Sequence, residues 1–160
     1  MRTLIFLILL ISISVSCNNS PKRLTEDALK SEITYDSVLA QKLGADDYGM
    51  KQYVMAFLKR GPNRSQDSAE AARLQRAHLD NIGRLAEEGK LVLAGPFLND
   101  GELRGIYIFN VSTVEEAKAL TETDPAIKQG RLVMELHPWY GSAAVMQVNE
   151  VHNKIAKINI

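Results

Sequence analysis

Cysteine is almost absent. The 160-residue chain carries one, Cys17, which excludes an internal disulfide framework and zinc or iron–sulfur sites built on several thiolates. An excess of either charge is also missing. Nineteen basic residues face nineteen acidic ones, so no basic field awaits a phosphate backbone and nucleic acid is not an expected partner. Long hydrophobic runs are missing too: the longest, residues 4–13, is about ten residues broken only at Ser12, where a membrane-spanning helix needs about 20. There is no internal repeat, no Gly-rich loop ahead of a helix, no H-E-x-x-H and no G-x-S-x-G. These absences leave no metal and no cofactor to expect. What remains, 46% apolar and 24% charged residues, is the composition of a globular chain.

The lone cysteine sits where it carries information. Met1-Arg2-Thr3 is a short positive start, the apolar run follows, and Ser14-Val15-Ser16-Cys17 leads into polar Asn18-Asn19-Ser20-Pro21. This is the layout of a secretory signal. Its last four residues resemble the lipobox of bacterial lipoproteins, with Ser14 where leucine is usual. The resemblance implies that residues 1–16 are removed, that Cys17 is lipidated, and that the lipid alone anchors the protein in the cell envelope. An ordinary signal cut after Ser16, giving a secreted or periplasmic protein, and a buried cysteine in an N-terminal helix are the alternatives. Residues 17–49 read as the lipidated cysteine and a polar tether, with a short helix possible within residues 35–43. As a flexible coil, roughly 30 such residues would span about 30 Å.

From Met50 the texture changes, and residues 50–140 read as one domain followed by a tail, 141–160. Residues 51–59 are apolar at successive positions, as in a strand covered on both faces. Gly61-Pro62-Asn63 breaks them. A helical stripe then runs from Asp67 to Glu88 through Ala71, Leu74, Ile82 and Leu85, with Asp67 and Glu70 shaped like a capping box and Gly89 at the C-terminal stop. Residues 91–98 form a second strand, Asn99-Asp100-Gly101 a hairpin signal, and residues 105–111 a third strand. Ser112 to Glu115 is read as a second capping box, opening a helix to about Thr123. Asp124-Pro125 starts a helical turn, Gly130 ends it, and residues 132–139 form the fourth strand. The order β-α-β-β-α-β is the ferredoxin-like arrangement, an α+β fold with an antiparallel sheet whose first and third strands are central. Helices cover one sheet face only. Apolar residues on both faces of the central strands therefore ask for a second cover, and a homodimer packed sheet to sheet supplies it. In the tail, Val148, Val151, Ile155 and Ile158 have helical spacing.

Three histidines are present. His78 is four residues from both Leu74 and Ile82, so it points with the buried stripe, either as a core histidine or as a site residue. Asp80 lies about 200° around the helix from it and is expected to pair with Arg84 instead. Asp124, ahead of Pro125, reads as a helix N-cap or as a site carboxylate. His137 closes the last strand beside Trp139, His152 lies in the tail, and Ser65 and Ser68 look like turn and cap residues.

Ala77-His78-Leu79, Glu88-Gly89-Lys90-Leu91, Ala94-Gly95-Pro96, Asp124-Pro125, Gly130 and Pro138-Trp139, in that order and spacing, resemble the YCII-related (YciI-like) domain family. The resemblance implies the dimeric α+β barrel, two ferredoxin-like sheets packed together. It also implies a histidine and an aspartate as an active-site pair, here His78 and Asp124, in a family where some relatives act on small cyclic compounds, among them a dehydrochlorinase. Two readings of function follow. One is an envelope-anchored, cofactor-independent lyase or isomerase of a small molecule, using His78 as general base and Asp124 as its orienting partner. The other is a non-catalytic envelope module that binds a small ligand or a protein.

Overall fold

The computed structural model describes residues 34–158. Cys17, the signal segment and the first part of the tether lie outside the described residues. Of the two units into which the chain divides, Met1–Tyr35 falls almost wholly outside them, and Asp36–Ile160 holds every element below.

Asp36 caps a first helix, α1 (Ser37–Leu43), its carboxylate accepting the Leu39 N–H, and Gly44 ends it in the left-handed conformation. This helix falls within the residues read as the end of the tether. Strand β1 (Met50–Arg60) follows, then α2 (Ser68–Glu87), β2 (Leu91–Pro96), β3 (Leu103–Phe109), α3 (Val114–Thr121), the single turn α4 (Pro125–Lys128) and β4 (Leu132–Ser142). A 3-10 turn, Ala143–Gln147, and α5 (Val148–Ile155) complete the chain. The sheet order is β2-β3-β1-β4 with every neighbour antiparallel, so β1 and β3 are central. The α+β, ferredoxin-like βαββαβ reading therefore holds.

The helix signals act as read, with two corrections. Asp67 caps α2 through the Glu70 N–H, but Glu70 does not reach back. Its carboxylate instead takes two guanidinium nitrogens of Arg73, Nη2 and Nε, one turn on, at 2.7 and 2.8 Å. The reciprocal capping box is at α3 and starts one residue later than expected: Thr113 caps Glu116 N, and the Glu116 carboxylate returns to the Thr113 N–H.

Strand alternation sorts side chains to two faces. Val54, Ala56 and Leu58 of β1, Leu91 of β2 and Tyr107 and Phe109 of β3 face the helices, each no more than 3% exposed, and pack with Leu85 and Ala117. Leu132, Met134 and Leu136 of β4 border this core, while Val133, Glu135 and His137 alternate outward. On the opposite face Tyr53, Val92 and Ile108 form a second cluster with Met55, Leu93 and Trp139. Part of the cover that the two-faced strands require comes from the chain's own tail. Val145 and Met146 of the 3-10 turn lie on that cluster, and Asn149 Nδ2 donates to the Leu91 carbonyl at 2.8 Å. The same face stays exposed at Val133 and His137, where Phe57 meets the His137 ring edge-on at 5.6 Å. Among the described residues no helix is long and apolar enough to cross a membrane.

Candidate functional site

The buried stripe of α2 is Leu74, His78, Asn81 and Leu85, spacings of four, three and four that keep one helix face toward the sheet. His78 is 7% exposed. Opposite it, the turn between α3 and α4 delivers Asp124, which is 0% exposed. Oδ1 of Asp124 accepts the Ala126 N–H at 2.8 Å, and Oδ2 meets His78 Nδ1 at 2.6 Å. Capping and pairing, read from sequence as alternatives, thus take one oxygen each.

Several bonds hold this turn against α2. Thr123 donates its hydroxyl to the Leu120 carbonyl at 2.7 Å and accepts from Arg84 at 3.0 Å, while Arg84 also donates to Asn81 Oδ1 at 2.8 Å. Arg84 is further engaged by Glu88 at 2.7 Å. Asp80 therefore does not pair with Arg84 as expected. It faces solvent and pairs with Arg76, one turn back, at 2.9 Å. On the other side, Gly61 lets two backbones touch: a Cβ there would stand 2.2 Å from the Gly130 carbonyl oxygen. Gly61 N donates to the Arg131 carbonyl at 2.9 Å and Asn63 N to that of Gly130 at 3.0 Å. Gly130 itself ends the turn at φ 65°.

Tyr107 is the member of the site that sequence reasoning missed. Its hydroxyl lies 3.3 Å from His78 Nε2, and the rings stack at 6.2 Å with 19° between planes. Burial, then the Asp124 carboxylate, pushes the phenol well above its ordinary value of 10.0, so it stays a neutral donor. The available signal was a tyrosine on the buried face of a central strand, whose hydroxyl needs a partner. A hydrogen on Nδ1 of His78, donated to Oδ2 of Asp124, leaves Nε2 as a lone-pair base facing the Tyr107 hydroxyl. This arrangement can accept a proton at Nε2 and stabilise the resulting imidazolium.

The other histidines are elsewhere. His137 Nε2 lies 2.8 Å from Glu135 on the exposed sheet face, and His152 is exposed on α5. Ser65 donates its hydroxyl to Asn63 within the loop at 2.9 Å, and Ser68 opens α2. Among the described residues no group of three or more His, Cys, Asp or Glu is placed to hold a metal ion. Two clefts open elsewhere on the surface. One of about 90 Å³ is lined by Arg64, Gln75, Arg104, Ala126, Arg131 and Leu132, and one of about 200 Å³ lies at Gln52, Tyr53, Ser112 and residues 138–140. Neither is lined by His78 or Asp124, but Ala126 borders the first.

Comparison with known proteins places the chain. The YCII-related domain matches residues 53–140. A solved structure of 5-chloro-2-hydroxyhydroquinone dehydrochlorinase from Burkholderia phenoliruptrix, in complex with 2,5-dihydroxybenzoquinone, is similar over 54% of this chain and 92% of that one. The two are 19% identical, with a TM-score of 0.41. No curated protein matches the chain.

Proposed function

The chain belongs to the YCII-related domain family, and on that premise we propose that it is a cofactor-independent lyase or isomerase of a small molecule, with His78 as general base. The observation that carries the reading is the 2.6 Å contact between His78 Nδ1 and a fully buried Asp124. Asp124 is the positioning residue: it fixes the tautomer and orients the ring. Nε2 then takes a proton from carbon next to a carbonyl or a leaving group. The Tyr107 hydroxyl, kept neutral by burial, gives way to the substrate or donates to the oxyanion that develops.

The test is deuterium incorporation from D2O into a panel of small cyclic carbonyl compounds, followed by NMR with the full chain. His78→Asn and Asp124→Asn should lower exchange by about 10²-fold or more. Exchange at the parent rate in the His78 variant would overturn the reading. The second reading, a non-catalytic binding module, draws on the 7% exposure of His78 and the partner at each of its ring nitrogens. It predicts that His78→Ala costs stability and leaves ligand-induced thermal shifts intact.

Two further features belong to this proposal. The positive start, apolar run and lone Cys17 support a lipid-anchored envelope protein, which Cys17→Ala would release from the membrane fraction. The exposed sheet face around Phe57, Val133 and His137 seats a second copy, and light scattering of the full chain would register the homodimer.

A further inference from the structure

The smaller cleft gathers more cations than the described residues neutralise. Arg60 and Arg104 share one carboxylate, Asp100, at 2.8 and 2.6 Å. Arg64 and Arg131 lie beside them, and among the described residues neither forms an ion pair. Glu102 is the second carboxylate of the cluster and acts on Arg64. Partial desolvation, then the charges of Arg131, Arg60 and Arg104, hold the Arg64 guanidinium below its ordinary range. Four guanidinium groups thus face two carboxylates, with the excess of cations on the cleft wall.

Gln66 lies beside the cleft, bonded to one of its arginines: it accepts from Arg131 through Oε1 at 3.2 Å, and its Nε2 is buried with no acceptor among the described residues. Buried donors are rarely left so. The loop that carries Arg64 and Gln66 is held by the close approach of Gly61 to Gly130, and Asn63 Nδ2 adds a bond to the Gln129 carbonyl at 2.9 Å. The arginines are therefore brought together by backbone contacts rather than by attraction, and repulsion among them is carried by the fold.

The place of the cleft relative to His78 matters. Gln75 on its wall is three residues, one helical turn, before His78, and Ala126 on its floor is the residue whose N–H holds Asp124. Its volume of about 90 Å³ is several times the roughly 10–15 Å³ that a single water needs.

We propose that this cleft seats the anionic group of a small-molecule ligand, a carboxylate or a phosphate, held by Arg64, Arg131 and Arg104 with the rest of the ligand directed toward His78. Guanidinium forks match planar and tetrahedral oxyanions alike. The direction toward His78 rests on the function proposed above, whereas the anion seat does not.

The experiment is calorimetric titration of the full chain with inorganic phosphate and, separately, with benzoate. One of the two should bind with one site per chain, and whichever binds names the anion. Arg64→Gln, in a residue that makes no hydrogen bond among the described residues, should weaken that binding by about tenfold or more, as should Arg131→Gln. Binding of neither anion, or unchanged binding in Arg64→Gln with fold intact by circular dichroism, overturns the proposal. Loss of proton exchange is scored separately. Anion binding that survives in a protein with no His78-dependent exchange would sink the lyase reading and leave the seat standing.

Discussion

His78 and His137 each meet a carboxylate, at 2.6 Å to Asp124 and 2.8 Å to Glu135. The second pair is the easier to build. Two positions apart on one strand, Glu135 and His137 share a face automatically, while His78 and Asp124 are 46 residues apart and meet only once the fold is complete. Their surroundings differ as much as their origins. Glu135 lies in water and is shared with Lys59, and hydrogen bonds from Lys59 and then His137 hold it below the ordinary carboxylate range. Asp124 has no contact with water and, among the described residues, two donors, His78 and Ala126. A carboxylate in water has other partners to turn to, whereas a dry one must keep the partner it has.

The largest effect should therefore come from Asp124→Ala. It leaves the His78 Nδ1–H and the Ala126 N–H without acceptors inside the fold, and breaking one side of a buried pair costs about 3–5 kcal/mol. Urea denaturation of the full chain should show this loss, while Glu135→Ala in dilute protein should leave the midpoint where it was. Similar losses in the two variants would erase the distinction between the pairs.

Glycines on the two sides of the sheet give the next contrast. An added Cβ at Gly61 meets the Gly130 carbonyl oxygen at 2.2 Å, and one at Gly141 meets the Trp139 ring at the same 2.2 Å. The first obstacle is backbone in a closed contact, whereas the second is a half-buried side chain that can rotate away. Gly61→Ala should cost about 1–3 kcal/mol as an overpacking change, and thermal denaturation should place it below Gly141→Ala. The reverse order would mean that the tail-covered face is the more rigid of the two.

How much of this contrast the sequence shows depends on how far apart the residues are. Periodicity and turn chemistry within each segment carry the βαββαβ order, and the alternation of residues 132–137 marks which side of β4 is wet. The His78–Asp124 pair needed the family resemblance, because no local pattern links a helix stripe to a turn 46 residues away. The i,i+4 spacing favours Asp80 with Arg84, but Arg84 turns instead to Glu88, Asn81 and Thr123. Tyr107, the 3-10 turn over Tyr53, and the arginines brought together around Ala126 all depend on long-range packing. No window of sequence contains them.

Tyr107 supplies a test in pH of how dry the His78 side is. Its folded value is raised above the ordinary 10.0, first by burial and then by Asp124. A raised value means that the contribution to stability is complete below pH 10 and is lost as pH climbs above it, because the unfolded phenol ionises while the folded one does not. Between pH 10 and 11 the parent protein should lose up to about 1.4 kcal/mol more than Tyr107→Phe. Tyr53 and Tyr140, also raised, are common to both proteins and cancel in the difference. Parallel pH profiles would mean that water reaches the Tyr107 hydroxyl.

The smallest effect should belong to Glu135→Gln, and protein concentration decides its meaning. In dilute protein the Lys59 and His137 partners of Glu135 already share it with water, so losing the charge should not move the urea midpoint. A second copy seated over Phe57 and Val133 would take the same three groups out of water. The substitution would then acquire a cost that grows with concentration, as linkage to association requires. A midpoint difference that is absent at both micromolar and millimolar protein means that no copy closes over His137, and the two histidine pairs differ in solution as they do within one chain. A difference that appears only in concentrated protein means that the exposed pair becomes a buried one on assembly, and the contrast between the two faces holds for the separate chain alone.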